Sequence, residues 1–353
     1  MKRFTIKFCI LFLLIDGAIC WYAFWVQPNI SGDMGRLAQI PFGMEYQNKL
    51  KMIHQHDKQY VYNYCPNDPI SNPIITIGDS YSRQMMHGYQ QFLGEMMGCN
   101  ILNVNHENSP EQTFIQLVNN NLIPKGTTVI IESVERGLIY RFSHVDYEDR
   151  SMPEIWNTCQ WDIDYSTLYE TDKIEALLLD IDNDKAQKYD IIKGLTLKIK
   201  LLLGIKNPIN IFTTTSNLFS HSRYKNKLYI YDSPWDQDGD LWFVNNQVDW
   251  HIDFVYNKIT ELHKFATDNG IKLIYIIAAN KYDVYEQYIS QKHHHNTMLD
   301  YCPNEPWLIN TKQLFIPQIE SGVKDIYYIH DSHWSPIGAK IVAESLYNRL
   351  GIK

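Results

Sequence analysis

At 353 residues the chain is long enough for one large domain or two modest ones with ample core. Hydrophobic content of 45% against 20% charged residues excludes a disordered chain, and a net charge of −8 without a run of Lys or Arg gives nucleic-acid binding no support. Aromatic residues reach 13%, with 24 Tyr and 9 Trp, which suits an aromatic core and also stacking surface for sugar rings.

The N-terminus differs in character from the rest. Lys2, Arg3 and Lys7 precede an apolar run, Phe8 to Val26, interrupted only by Asp16. As a helix that run reaches about 28 Å, near the hydrocarbon thickness of a bilayer. The basic flank keeps the N-terminus in the cytoplasm and exports the remainder, with Trp21, Tyr22 and Trp25 in the far interfacial belt. Ala18-Ile19-Cys20 matches a cleavage site poorly, so residues 1–26 are predicted to stay as an anchor in the cell inner membrane with a periplasmic or extracytoplasmic domain. Asp16 is either a tolerated defect in the span or a contact with another membrane protein. Residues 27–72, with their Gly and Pro, read as a stalk.

A domain over 73–353 follows. Runs rich in β-branched residues at 73–79, 127–134, 271–280 and 324–331, with a weaker one at 100–107, alternate with helical patterns. The helix ending near Gly270 and the last helix, with Ser335 as N-cap and Pro336 at its first position, are the clearest. Continuous apolar runs mark strands covered on both faces. The expectation is an α/β fold, a three-layer α/β/α sandwich with a mainly parallel five-stranded sheet, whose site lies beyond the carboxyl ends of the strands. Residues 140–250 break the alternation and read as an insertion rich in Asp, Tyr and Trp. Cys9 and Cys20 fall in the membrane segment; Cys65, Cys99, Cys159 and Cys302 lie beyond it and permit disulfides, with three pairings open.

Two short stretches carry the chemistry. Gly78-Asp79-Ser80 stands where the first strand meets a helix, so Ser80 is either a helix cap or a nucleophile whose oxyanion faces the N–H groups of that turn. Asp331 and His333 follow the last expected strand at the same sheet edge, two residues apart and so on one side of an extended segment. The carboxylate can brace one imidazole nitrogen while the other faces Ser80, as nucleophile–base–orienter logic requires. His330 competes for the role of base but alternates to the other side. The triple histidine at 293–295 and the Asp236–Asp240 stretch read as a solvated loop and a turn, so neither a metal nor a cofactor is expected.

"GDSYS" followed much later by "DSHWSPIGAKIVAESLY" resembles the SGNH-hydrolase superfamily. The Trp after His333, "IIESVERGL" and "IIAANKYDVY" narrow this to a likeness with the SGNH-like domain of the alginate O-acetyltransferase family, over about 74–139 and 271–347. The resemblance implies Ser80 as nucleophile, His333 as base, Asp331 as the acid orienting it, and Arg136 as oxyanion or substrate contact. The alternative for Arg136 is a salt bridge to Glu132 or Glu135. Tyr81, Lys281, Tyr282 and Trp334 join the expected substrate contacts. Here the Asp–His pair follows the serine, whereas in the alginate proteins it precedes it. No Gly-x-Asn follows the third strand, and Asn105 or Asn108 stands where the superfamily has an oxyanion glycine. The implied function is an exported O-acetyltransferase acting on polysaccharide hydroxyls, with a multi-spanning membrane O-acyltransferase as acyl donor. A carbohydrate acetyl esterase and a non-catalytic glycan-binding scaffold are the alternatives.

Overall fold

The computed structural model describes residues 56–64, 74–106, 109–155, 209–222, 224–231, 249–290 and 297–351, with scattered positions between 7 and 54. Strands β1 (Val61–Asn63), β2 (Ile74–Gly78), β3 (Ile101–Val104), β4 (Thr128–Val134), β7 (Lys272–Ala278) and β8 (Leu308–Asn310) form one sheet in the order β1-β3-β2-β4-β7-β8. Every pairing in it is parallel. The strand sequences explain this. β2 is buried throughout, and β4 and β7 are buried at all but one residue, as continuous Ile/Val runs must be when both faces are covered. β5 (Ile209–Thr213) and β6 (Lys227–Tyr231) make a separate antiparallel ribbon within the stretch read as an insertion.

The helices are α1 (Tyr89–Met97), α2 (Pro110–Asn119), α3 (Leu138–Ser143), α4 (Asp249–Asp268), α5 (Lys281–Tyr285), α6 (Thr311–Glu320) and α7 (Pro336–Leu350). α7 packs on α1 and α6, while α3 packs on α4 and α4 on β7. Phe114 of α2 meets Phe265 of α4 edge-on. Gly270, at φ 73°, turns the chain from α4 into β7 in a left-handed conformation that suits glycine. Ser335 caps α7 by accepting from the Ile337 N–H at 3.0 Å, ahead of Pro336.

Two expectations are corrected. The sheet has six strands rather than five, and the run at 324–331 is not one of them; β8 takes that place beside β7. Ile326, Tyr327, Tyr328 and Ile329 are buried all the same. Their segment folds back on itself, with Tyr328 N–H on His333 O at 3.2 Å and Ser335 N–H on Ile326 O at 2.8 Å. The buried ammonium of Lys281 takes the carbonyls of Tyr328 and Ile329 that a ladder would otherwise satisfy. β1 corrects the stalk boundary: residues 61–63, placed in the linker by their composition, pair with β3. The proposed span 8–26 lies almost wholly outside the described residues, and no helix among those described is long and apolar enough to cross a membrane. Cys99 and Cys302 are free, and Cys65 and Cys159 lie outside the described residues.

Candidate active site

β2 ends at Gly78, and the chain turns at once into a single 3₁₀ turn, Ser80–Arg83, capped by Asp79. A side chain at 78 would collide with the Ser82 hydroxyl and come within 2.7 Å of Glu132 Oε2, so the turn needs glycine there. This sharp exit leaves Ser80 exposed at the carboxyl edge of the sheet, with its neighbours Tyr81 and Ser82 buried.

The 330–335 loop reaches the same edge. Ser80 Oγ lies 2.6 Å from His333 Nε2, and His333 Nδ1 lies 2.6 Å from Asp331 Oδ1. The same carboxylate oxygen accepts the His333 N–H at 3.1 Å, which fixes the spacing of the pair. Burial opposes ionisation of Asp331, yet the His333 imidazole and His330 outweigh it and hold the carboxyl well below the ordinary range. An ionised Asp331 accepts the hydrogen bond of Nδ1–H and so presents Nε2 as an acceptor towards the serine hydroxyl. The competing imidazole is placed elsewhere: His330 is fully buried, and burial pushes its pKa down to about 4.

Struts between the two segments fix the Ser80–His333 distance. Tyr81 donates its hydroxyl to Ser332 O at 2.7 Å, and Gln84 Nε2 donates to Trp334 O at 3.0 Å. The Tyr81 ring lies 4.8 Å from that of His333 and 4.5 Å from that of Trp334. Trp334, Tyr81 and Lys281 are fully buried and Tyr282 nearly so, which removes all four from the expected substrate contacts. Trp334 packs on Tyr89 and Phe315 as a core side chain. Lys281 bonds the carbonyls of Tyr328 and Ile329, and that of Asp331 at 3.2 Å, so it anchors the loop from below. Tyr282 packs towards Phe212, and burial raises its pKa to about 12.

Arg136 is half-buried beyond the end of β4, and its Nη1 donates to Asn280 Oδ1 at 3.1 Å. Glu132 instead accepts from Asp79 N–H and Ser82 Oγ, and Glu135 from Asn280 N–H. Asn105 is built into the sheet end: it donates to Asn63 Oδ1 at 2.8 Å and accepts from Asn103 Nδ2 at 3.1 Å. The oxyanion donors are the other departure from expectation. Tyr81 N–H ends on Asp79 Oδ1 and Ser82 N–H on Asp79 O, so of the first three donors of that turn Asp79 leaves the Ser80 N–H unengaged.

Beneath the turn lies a polar group that residue patterns did not reveal. Asp79 Oδ2 accepts from Val134 N–H at 2.7 Å and from Arg141 Nη1 at 3.1 Å. Arg141 also donates to Ser133 Oγ at 2.6 Å, and Ser133 to Glu111 Oε1 at 2.6 Å. Asp79 belongs to the Gly78-Asp79-Ser80 motif, but nothing local marks Arg141, which meets it across 62 residues. Among the described residues no cluster of His, Cys, Asp and Glu is arranged to hold a metal ion. No family model, curated protein or solved structure matches this chain.

Proposed function

We propose that this protein is a serine-dependent O-acyltransferase that moves an acyl group, most simply acetyl, through Ser80 onto a hydroxyl of an extracellular polysaccharide. The single observation that carries the reading is the unbroken Ser80–His333–Asp331 chain, 2.6 Å at each link. His333 Nε2 removes the Ser80 proton as Oγ attacks the acyl carbonyl. The tetrahedral oxyanion finds the Ser80 N–H, and collapse expels the donor's oxygen, which takes the proton from His333. An acceptor hydroxyl then gives its proton to His333, attacks the acyl-enzyme and leaves with the acyl group, restoring Ser80. The helices packed with the parallel sheet support the three-layer α/β/α arrangement expected from the alternation of strands and helices. The likeness to the alginate family and the apolar N-terminal run support the finer reading. In it, an inner-membrane anchor holds the domain in the periplasm beside a multi-spanning O-acyltransferase that supplies the acyl group.

The exposure of Ser80 favours a second reading, a carbohydrate acetyl esterase in which water takes the acyl group from the same enzyme intermediate. Fluorophosphonate labelling and p-nitrophenyl acetate cleavage test the shared chemistry. Both should disappear in Ser80→Ala and in His333→Ala; retention in either rejects acyl transfer through Ser80, and wild type that is neither labelled nor active leaves a non-catalytic scaffold. Adding oligosaccharide acceptors then separates the two readings: acetyl on sugar supports the transferase, free acetate alone the esterase.

A further inference from the structure

We infer that Glu132 is a positioning residue that works as a neutral acid: it holds a proton against the Asp79 carboxylate, and this carboxyl pair fixes the turn on which Ser80 stands. The claim deepens the acyl-transfer reading and, for its catalytic part, rests on it.

Glu132 is fully buried beneath the turn, and its two oxygens have unlike surroundings. Oε2 receives two donors, the Asp79 N–H at 3.2 Å and the Ser82 hydroxyl at 2.9 Å. Oε1 is buried and receives no donor among the described residues. An ionised oxygen in that state would be desolvated without compensation, whereas a protonated one is itself a donor. Glu132 Oε2 accepts the backbone N–H of Asp79, so the two buried carboxyls are neighbours under one turn, and close carboxyls do not both ionise readily. Charge gives the same answer. Arg141 and Arg83 both act on Asp79 and Glu132; Arg141 bonds Asp79 and Ser133 directly, while Arg83 gives its Nη2 to His106 O at 2.8 Å. On the Arg141 side stand Glu111 and Tyr275, and on the α1 side Tyr89, whose hydroxyl is 3.0 Å from Ser82 Oγ. Asp79 is the carboxyl that bonds Arg141 directly and accepts two backbone N–H groups, so the negative charge belongs on Asp79 and the proton on Glu132. Burial and the Asp79 carboxylate both push Glu132 well up, while Arg141 and its neighbours hold Asp79 down.

The geometry says what this does. Residues 79 and 82 are tied to Glu132 and residue 81 to Asp79, so Ser80 is the one member of the turn left exposed and turned to His333. Ionising Glu132 would set two carboxylates against each other at the base of the turn.

The test compares wild type, Glu132→Gln and Glu132→Ala of the full chain. Folding raises the Glu132 pKa, so the folded state binds the extra proton. Wild type must therefore lose stability relative to Glu132→Gln as pH rises above about 4.5, until the folded group itself ionises. Melting temperatures from pH 5 to pH 9 should show the gap shifting steadily in favour of the glutamine variant; a gap independent of pH overturns the neutral acid. Amide exchange over residues 79–83 should speed at least tenfold in Glu132→Ala, and unchanged protection overturns the positioning role. Fluorophosphonate labelling of wild type should fall on the alkaline side, and Glu132→Gln should move that fall to higher pH; an unmoved limb rejects the link to the nucleophile. If no protein is labelled at any pH, the acyl-transfer reading fails, while melting and exchange still decide the proton and the turn.

Discussion

Asp331 determines which nitrogen of His333 faces the serine, so its removal should cost more than a lost contact. Asp331→Asn keeps the shape but offers a donor where Nδ1–H needs an acceptor, and the imidazole turns the wrong tautomer towards Ser80. Labelling of Ser80 should slow by on the order of 10³–10⁴, measured as a second-order rate at pH 7. The same pair gives a pH signature. The folded carboxyl lies below its unfolded value near 3.9, so its contribution is complete above that pH and is lost as pH falls through the folded value. The stability advantage of wild type over Asp331→Asn in urea should therefore be present at pH 7 and shrink below about pH 4. Lys281 is the other decisive residue. Lys281→Met leaves three loop carbonyls without a buried donor and should lower stability by about 3 kcal/mol in urea melts, with slower Ser80 labelling.

At the level of elements, the helix that follows the His333 loop also presses on it. A side chain at Gly338 would come within 2.6 Å of Ile326 O and 2.8 Å of Trp334 Cβ, so α7 can sit this close only with glycine. Gly338→Ala should cost about 1–3 kcal/mol in thermal unfolding and loosen the His333 loop. What the sequence revealed follows from the same packing. β2, β4 and β7 are continuous runs buried on both faces, and Ser335-Pro336 is a local start signal, so both were legible. The run at 326–329 is as apolar and as buried, but Lys281, 48 residues from Ile329 in the chain, satisfies part of its backbone, and periodicity carries no trace of such a partner. β1 and β8 are three residues each, too short for an alternation to register. Ser80, Asp331 and His333 were legible because each motif can be read locally, one where β2 ends and one just before α7, and the fold brings the two to one edge. Tyr81, Trp334, Lys281 and Tyr282 were identified as special but are buried, because adjacency to a site residue in the sequence does not distinguish a wall of the site from its lining.

For the whole molecule, the parallel sheet and its helices present the exposed Ser80 at the carboxyl edge, and the acyl-transfer reading stands or falls on its hydroxyl oxygen. Stopped-time intact mass after mixing with p-nitrophenyl acetate, followed by peptide mapping, reads the covalent step itself. One acetyl per chain should accumulate on Ser80 in wild type, decay as the acyl group passes to water or an added oligosaccharide, and be absent in Ser80→Ala and His333→Ala. Acetyl found on other residues, or on Ser80 at the same rate without His333, would contradict the mechanism.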